Sequence, residues 1–210
     1  MKITYLSQSG FILSEDSSTI VIDPAKPQEG NIEGEILILT HTHSDHIGGA
    51  KNFLNHNQEA ILLGNISVAK KFKKFEPRVL EIHQEEVFRQ DPWKIQTFRC
   101  KHGLFWFVKN NGMLIKDNNT IFAHLGDAVE YKAFYEQEID IIALPIGGIF
   151  TSSPKKAINE LKKFKKLPKI VIPIHWLFRK PEKFKNKLEK IFPEVKCIIP
   201  KKGEKIDLTL

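Results

Sequence analysis

The sequence predicts an α/β protein made of two β-sheets packed face to face with helices outside. Three observations lead there. Short β-branched apolar runs fill the first third of the chain, the middle reads as strands joined by tight turns, and the last third alternates strand and helix patterns. The chain has 210 residues, 41% of them hydrophobic and 10% aromatic, which suits one domain spanning 1–210 with a substantial core.

The elements come in order along the chain. Strands are expected at Ile3 to Leu6, Gly10 to Leu13, Thr19 to Ile22 and Ile36 to Leu39, where apolar residues alternate or run together and β-branched types recur. Asp23-Pro24 ends the third run in a turn. One helix is expected from Asp45 or His46 to about Asn55, then a strand at Ala60–Leu63, a helix near Ser67–Phe75 and a strand at Arg78–Ile82. The middle offers strands at Trp93–Lys101, Leu104–Lys109, Gly112–Lys116 and Thr120–His124. Asn110-Asn111-Gly112 and Asp117-Asn118-Asn119 read as hairpin turns between them. The remainder reads as helix near Tyr131–Glu136, strand Ile139–Leu144, helix Pro154–Phe164, strand Lys169–Pro173, helix Pro181–Ile191 and strand Lys196–Ile199.

The densest chemistry comes directly after the fourth strand. Residues 40 to 49 read Thr-His-Thr-His-Ser-Asp-His-Ile-Gly-Gly, placing His41, His43, Asp45 and His46 within six positions. Each of these side chains can ligate a divalent metal. His41 and His43 are two apart, so on extended backbone their imidazoles point the same way. Asp45 and His46 come as the chain turns into a helix and are re-aimed, and Gly48 and Gly49 permit close backbone approach there. The simplest geometry is two adjacent ions, one per pair, completed by ligands from elsewhere. Three further candidates sit at strand ends: His102, Asp127 and His175. His83 and His124 compete with His102; His83 lies in a polar turn, and His124 is placed to orient a ligand.

Composition narrows the class further. No apolar run is long enough for a membrane span, and the N-terminus reads as a first strand, not a signal peptide. Cys100 and Cys197 are far apart and outside any Cys-x-x-Cys, the pattern of a reduced cytoplasmic protein. Cys100 lies two residues before His102, yet reads as a small buried side chain. Residues 151–210 carry 17 Lys or Arg against 6 Asp or Glu, whereas residues 1–150 carry 15 against 19. A basic C-terminal face attracts anionic partners, but these lysines are doublets on amphipathic helices and read as solvated surface.

The pattern Thr40-His-Thr-His-Ser-Asp-His-Ile-Gly-Gly49, a later His, a Gly-Asp and a final His resembles the metal-binding signature of the metallo-β-lactamase superfamily over nearly the whole chain. The resemblance implies an αββα sandwich of two mixed sheets. It also implies a ligand set in which His41, His43 and His102 hold one ion, Asp45, His46 and His175 the other, and Asp127 bridges. The stretches Leu6–Leu13, Leu144–Pro154 and Pro168–Trp176 are similar to the branch containing ascorbate-6-phosphate lactonase and many metal-dependent hydrolases.

The resemblance and the ligand-rich cluster together predict a metal-dependent hydrolase acting on a small ester, lactone or phosphodiester. It would carry two divalent ions, zinc first and manganese or iron as alternatives. Asp45 is expected to orient the attacking water and accept its proton. Gly147, Gly148 and Thr151, beyond a strand end and before a helix, are expected to hold an anionic substrate group; a plain loop and N-cap is the simpler reading of the same residues. Lys101, Arg179 and Lys180 adjoin expected ligands. The alternatives are a nuclease or RNA-processing phosphodiesterase of the same superfamily using the basic face, and a non-catalytic metal or ligand-binding protein.

Overall fold

In the computed structural model, residues 1–27, 31–103, 107–176 and 179–208 are described. The chain forms two compact units, Met1–Glu86 with Pro200–Leu210, and Val87–Ile199. Each unit is built on one mixed seven-stranded sheet flanked by helices.

The first unit contains β1 (Lys2–Ser7), β2 (Gly10–Glu15), β3 (Ser18–Ile22), β4 (Ile36–Leu39), α1 (Ser44–Ile47), α2 (Ala50–His56), β5 (Ile61–Gly64), α3 (Ile66–Lys71) and β6 (Val79–Glu81). The C-terminal strand Lys205–Ile206 pairs with β1 at one edge of this sheet. The strands from Lys205–Ile206 to β3 are antiparallel, and those from β3 to β6 are parallel. All four β4 residues are buried, which is why this strand is continuously apolar instead of alternating. Leu37, Phe53, Leu54, Leu62, Val68 and Phe72 form one apolar cluster that fixes α2 and α3 against the sheet. Because β2 runs against β3, the β1–β2 turn lies at the same sheet edge as the C-terminal ends of β3, β4 and β5.

The single helix expected after the His cluster is two short ones, broken at Gly48-Gly49. The chain leaving β3 passes too close for side chains there. Gly49 N–H donates to Pro24 O at 2.7 Å, and a Cβ on Gly48 would lie 2.1 Å from Ala25 O.

The second unit contains β7 (Val87–Gln90), β8 (Trp93–Cys100), β9 (Asn110–Lys116), β10 (Ile121–His124), β11 (Ile141–Pro145), α4 (Pro154–Leu161), β12 (Ile170–Ile174), α5 (Pro181–Ile191) and β13 (Lys196–Cys197). From β7 to β10 neighbours are antiparallel, and from β10 to β13 they are parallel. Two reversals separate β8 from β10, so β8, β10, β11 and β12 run the same way and their C-terminal ends open on one edge. Phe98, Phe134, Leu144, Leu161, Phe184 and Leu188 lie in one buried cluster beneath α4 and α5. Ser153 caps α4 by accepting from Lys156 N–H, with Pro154 in the first turn.

Several expected elements differ. Asn110-Asn111-Gly112 is no turn but the start of β9, with both Asn side chains buried. The strand expected at Leu104–Lys109 falls partly outside the described residues, and residues 107 to 109 are non-strand. The helix expected near Tyr131–Glu136 is a single 3-10 turn, Lys132–Phe134. Tyr131 and Phe134 are both buried, and the Tyr131 N–H donates to Glu160 at 2.9 Å. The helix expected to reach Phe164 ends at Leu161, and β7 and Lys205–Ile206 are additional strands that the patterning does not announce.

Candidate metal centre

In the first unit the His/Asp residues gather where β3, β4 and β5 end. Asp23, wholly buried, comes directly after β3 and has a left-handed backbone with φ 42°. Its carboxylate accepts from Thr40 N–H at 2.9 Å and from the Thr40 hydroxyl at 2.6 Å, and it contacts His46 Nδ1 at 2.7 Å. A carboxylate here needs a donor, so the Nδ1 of His46 carries the hydrogen and Nε2 keeps the lone pair. The Thr40 hydroxyl, donating to Asp23, can accept from His41 Nδ1 at 3.0 Å, which leaves the lone pair of His41 on Nε2 as well. That Nε2 faces His43 Nδ1 at 3.0 Å. His41, backed by the Thr40 hydroxyl, thus turns a ligand nitrogen toward His43, and the Asp23 carboxylate backs His46, the arrangement that sets a metal-binding histidine.

Asp45 and His46 bring ligand atoms within 4.8 Å of each other from α1. Asp45 is half-buried, and Gln8 Nε2 donates to its Oδ2 at 3.3 Å. Ser9 Oγ lies 3.1 Å from His46 Nδ1. Asn65, at the end of β5, donates to Thr40 O at 3.1 Å and caps α3 with the same side chain.

In the second unit three strands that share a direction each lead into one candidate. His102 comes after β8, Asp127 after β10 and His175 after β12. Asp127 sits between the two histidines: its Oδ2 is 3.4 Å from His102 Nε2, and its Oδ1 is 3.1 Å from His175 Nε2. One carboxylate therefore turns an oxygen toward each imidazole. Its backbone is pinned by Asn110, which accepts from Asp127 N–H at 3.1 Å and donates to Leu125 O at 3.2 Å. His124, fully buried, accepts from Gly126 N–H at 3.1 Å, and Gly126 takes φ 53°. His124 thus shapes the Gly-Asp turn. His175 adopts φ 57°, a conformation a non-glycine residue holds only when its surroundings impose it.

The β11–α4 loop passes beside His175. A Cβ on Gly147 would lie 2.5 Å from His175 O. Gly147 N–H donates to Thr151 Oγ1 at 3.1 Å, and Gly148 N–H to Ser152 O at 3.1 Å. Of the three neighbouring cations, Lys101 pairs with Glu130 at 3.1 Å, whereas Arg179 Nε donates to Gly147 O at 3.3 Å. Lys180 is exposed at the N-terminus of α5. His83 is an exposed side chain paired with Glu81. Cys100 packs in the core, where burial pushes its thiol up to about 12 and keeps it protonated.

The donors fit transition-metal ions. Each unit offers imidazole nitrogens and a carboxylate at ligand spacing, on strand ends, with their orientation set by neighbouring hydrogen bonds. Sequence reasoning misses the residues that do the setting, Asp23, Thr40, Ser9 and Asn110. Asp23-Pro24 has the form of an ordinary turn, and Asn110 that of a hairpin residue. A buried-strand end carrying a lone carboxylate is the available signal.

This fold and these donors define a class. The family model described as the beta-lactamase superfamily domain matches residues 2–175, and the chain belongs to that superfamily. Within it, the chain is 31% identical to a UPF0173 metal-dependent hydrolase of Nanoarchaeum equitans over 99% of its own length and 100% of the relative's. A UPF0173 metal-dependent hydrolase of Pyrococcus abyssi is 28% identical over 99% of this chain and 100% of its own. Among solved structures, Igni18, a metallo hydrolase of Ignicoccus hospitalis, aligns with TM-score 0.83 at 21% identity, covering 98% of this chain and 97% of the other. The protein is a metal-dependent hydrolase of the metallo-β-lactamase fold.

Proposed function

We propose that the two units act as one hydrolase domain with a dinuclear metal site that cleaves a small ester, lactone or phosphodiester. His41, His43 and His102 would hold one ion and Asp45, His46 and His175 the other, with Asp127 available to both; zinc is the favoured metal. The observation that carries this reading is the position of Asp127, whose two oxygens lie 3.4 and 3.1 Å from the histidines assigned to different ions. A bound ion pair would lower the pKa of a water toward neutrality and polarise the substrate's reacting oxygen.

The chain's own residues do the rest. Asp45 orients the attacking water and takes up its proton on the carboxylate that Gln8 steadies. Asp23 and Thr40 keep His46 and His41 in the tautomers that present Nε2. Gly147, Gly148 and Thr151 form a wall beside His175 against which the substrate is held; their N–H and hydroxyl groups are engaged within the loop, so the wall contributes shape. Cys100 and Cys197 are both free thiols, which suits a reducing cytoplasm.

The test is turnover of a panel of phosphodiesters, lactones and esters by the zinc-loaded protein. His43→Ala is expected to lower turnover by roughly two orders of magnitude or more while thermal unfolding stays cooperative. Undiminished turnover in that variant would reject the metal-centred reading.

A further inference from the structure

Among the described residues the three most exposed large apolar side chains are Ile149 at 74%, Phe107 at 68% and Phe150 at 50%. Scattered exposed apolar residues are ordinary, but Ile149 and Phe150 stand side by side on one loop. Phe107 lies on the β8–β9 connection that carries His102, and Ile149 and Phe150 lie on the β11–α4 loop that abuts His175. The two loops touch: a Cβ on Gly103 would lie 2.0 Å from Phe150 O.

The β11–α4 loop is also held firmly. Thr151 and Ser152 receive the N–H groups of Gly147 and Gly148, and Arg179 grips Gly147 O. The hydroxyl of buried Tyr131 donates to Pro145 O, just before the loop, at 3.5 Å. A fastened turn that presents an isoleucine and a phenylalanine to solvent is costly unless something apolar covers them.

We propose that Ile149 and Phe150 form the specificity-determining rim of the site and select substrates whose acyl or alkyl group is apolar and several carbons long. The inference rests on the hydrolase reading above and deepens it. The occupant is the substrate's apolar part because the rim is continuous with the edge that carries His102, Asp127 and His175. The contacts that clamp the turn also fix the tip relative to that edge.

The test uses the zinc-loaded full chain and two probes that share a headgroup, methylphosphonate and octylphosphonate, with affinities measured by calorimetry. Octylphosphonate is expected to bind about tenfold tighter or better, since each buried methylene adds to affinity. In the double variant Ile149→Ser/Phe150→Ser that ratio is expected to fall to about threefold or less, with the metal content equal to wild type. Equal affinity for the two probes in wild type, or a tenfold ratio that survives the double substitution, would overturn the proposal. So would conversion of a dimer to a monomer by the double substitution with the ratio unchanged, which would assign the tip to a contact between copies. Failure of the hydrolase reading itself shows elsewhere, as absence of bound zinc or as undiminished turnover in His43→Ala.

Discussion

At the scale of single residues, the candidate metal-ligating histidines and aspartates are legible in the sequence and the residues that hold them are not. A run such as His41-Thr-His43-Ser-Asp45-His46 announces itself because so many ionisable groups rarely sit beside a buried strand without a shared purpose. Asp23 carries no such mark. Its importance comes from the parallel pairing of β3 with β4, which brings it to Thr40 and His46 from 17 and 23 residues away. Removing a carboxylate that orients a metal-binding histidine commonly weakens the metal about 10- to 100-fold. Asp23→Asn is therefore expected to weaken zinc binding by about that factor, read by chelator competition, and an unchanged affinity would show that Asp23 does not set His46. Gly48 belongs at this scale too. Gly48→Ala forces a methyl toward Ala25 O, and is expected to lower the unfolding midpoint in a thermal melt, whereas an alanine at exposed Lys51 in α2 is not.

The elements are readable wherever one face, or both, is apolar. β1 to β4, β8, β11, β12 and α5 appear where alternation or continuous runs place them. The misses have local causes. β7 is an edge strand whose residues are exposed or only partly buried, so its apolar signal is thin. A single 3-10 turn, Lys132–Phe134, stands where a helix is expected, and the N–H of Tyr131 just before it donates to Glu160 on α4. Glu160 is buried and accepts from Tyr131 N–H at 2.9 Å, the Tyr135 hydroxyl at 2.5 Å and Lys163 Nζ at 2.6 Å. Burial alone would raise its pKa, but the hydrogen bonds from Lys163, Tyr135 and Tyr131 together hold it below the ordinary value. A carboxyl lowered in the folded state contributes stability above its unfolded pKa, and that contribution is lost as pH falls through the folded value. Glu160→Gln is thus expected to destabilise the protein by about 1–3 kcal/mol at pH 7. The gap between variant and wild type should narrow on acidification through the carboxylate range. Denaturant titrations at several pH values check this, and a gap independent of pH would assign the loss to packing and not to charge.

At the scale of the whole molecule, the two sheets repeat one scheme, antiparallel strands at one side and parallel strands at the other, with candidate ligands at strand ends in both. The patterning predicts two sheets with helices outside, the motif resemblance implies the αββα sandwich, and the match to residues 2–175 together with the likeness to Igni18 supports that fold. Net charge is a weaker guide at this scale. The C-terminal lysines are partly offset by acids from outside their segment, as Lys165 pairs with Glu136, Lys166 with Glu138 and Lys169 with Asp140. Single-stranded RNA is therefore expected to bind weakly, with little dependence on salt, in a filter-binding assay; a steep log-linear loss of affinity with salt would favour a nucleic-acid substrate. No helix among the described residues is long and apolar enough to cross a membrane. The proposed site holds two ions on seven ligands. The most direct measurement is the metal content of the zinc-loaded protein after exhaustive dialysis, beside that of Asp127→Ala. About two zinc ions per wild-type chain are expected, with loss of at least one in the variant. One ion or none in wild type, or two retained without Asp127, would contradict that two-ion site.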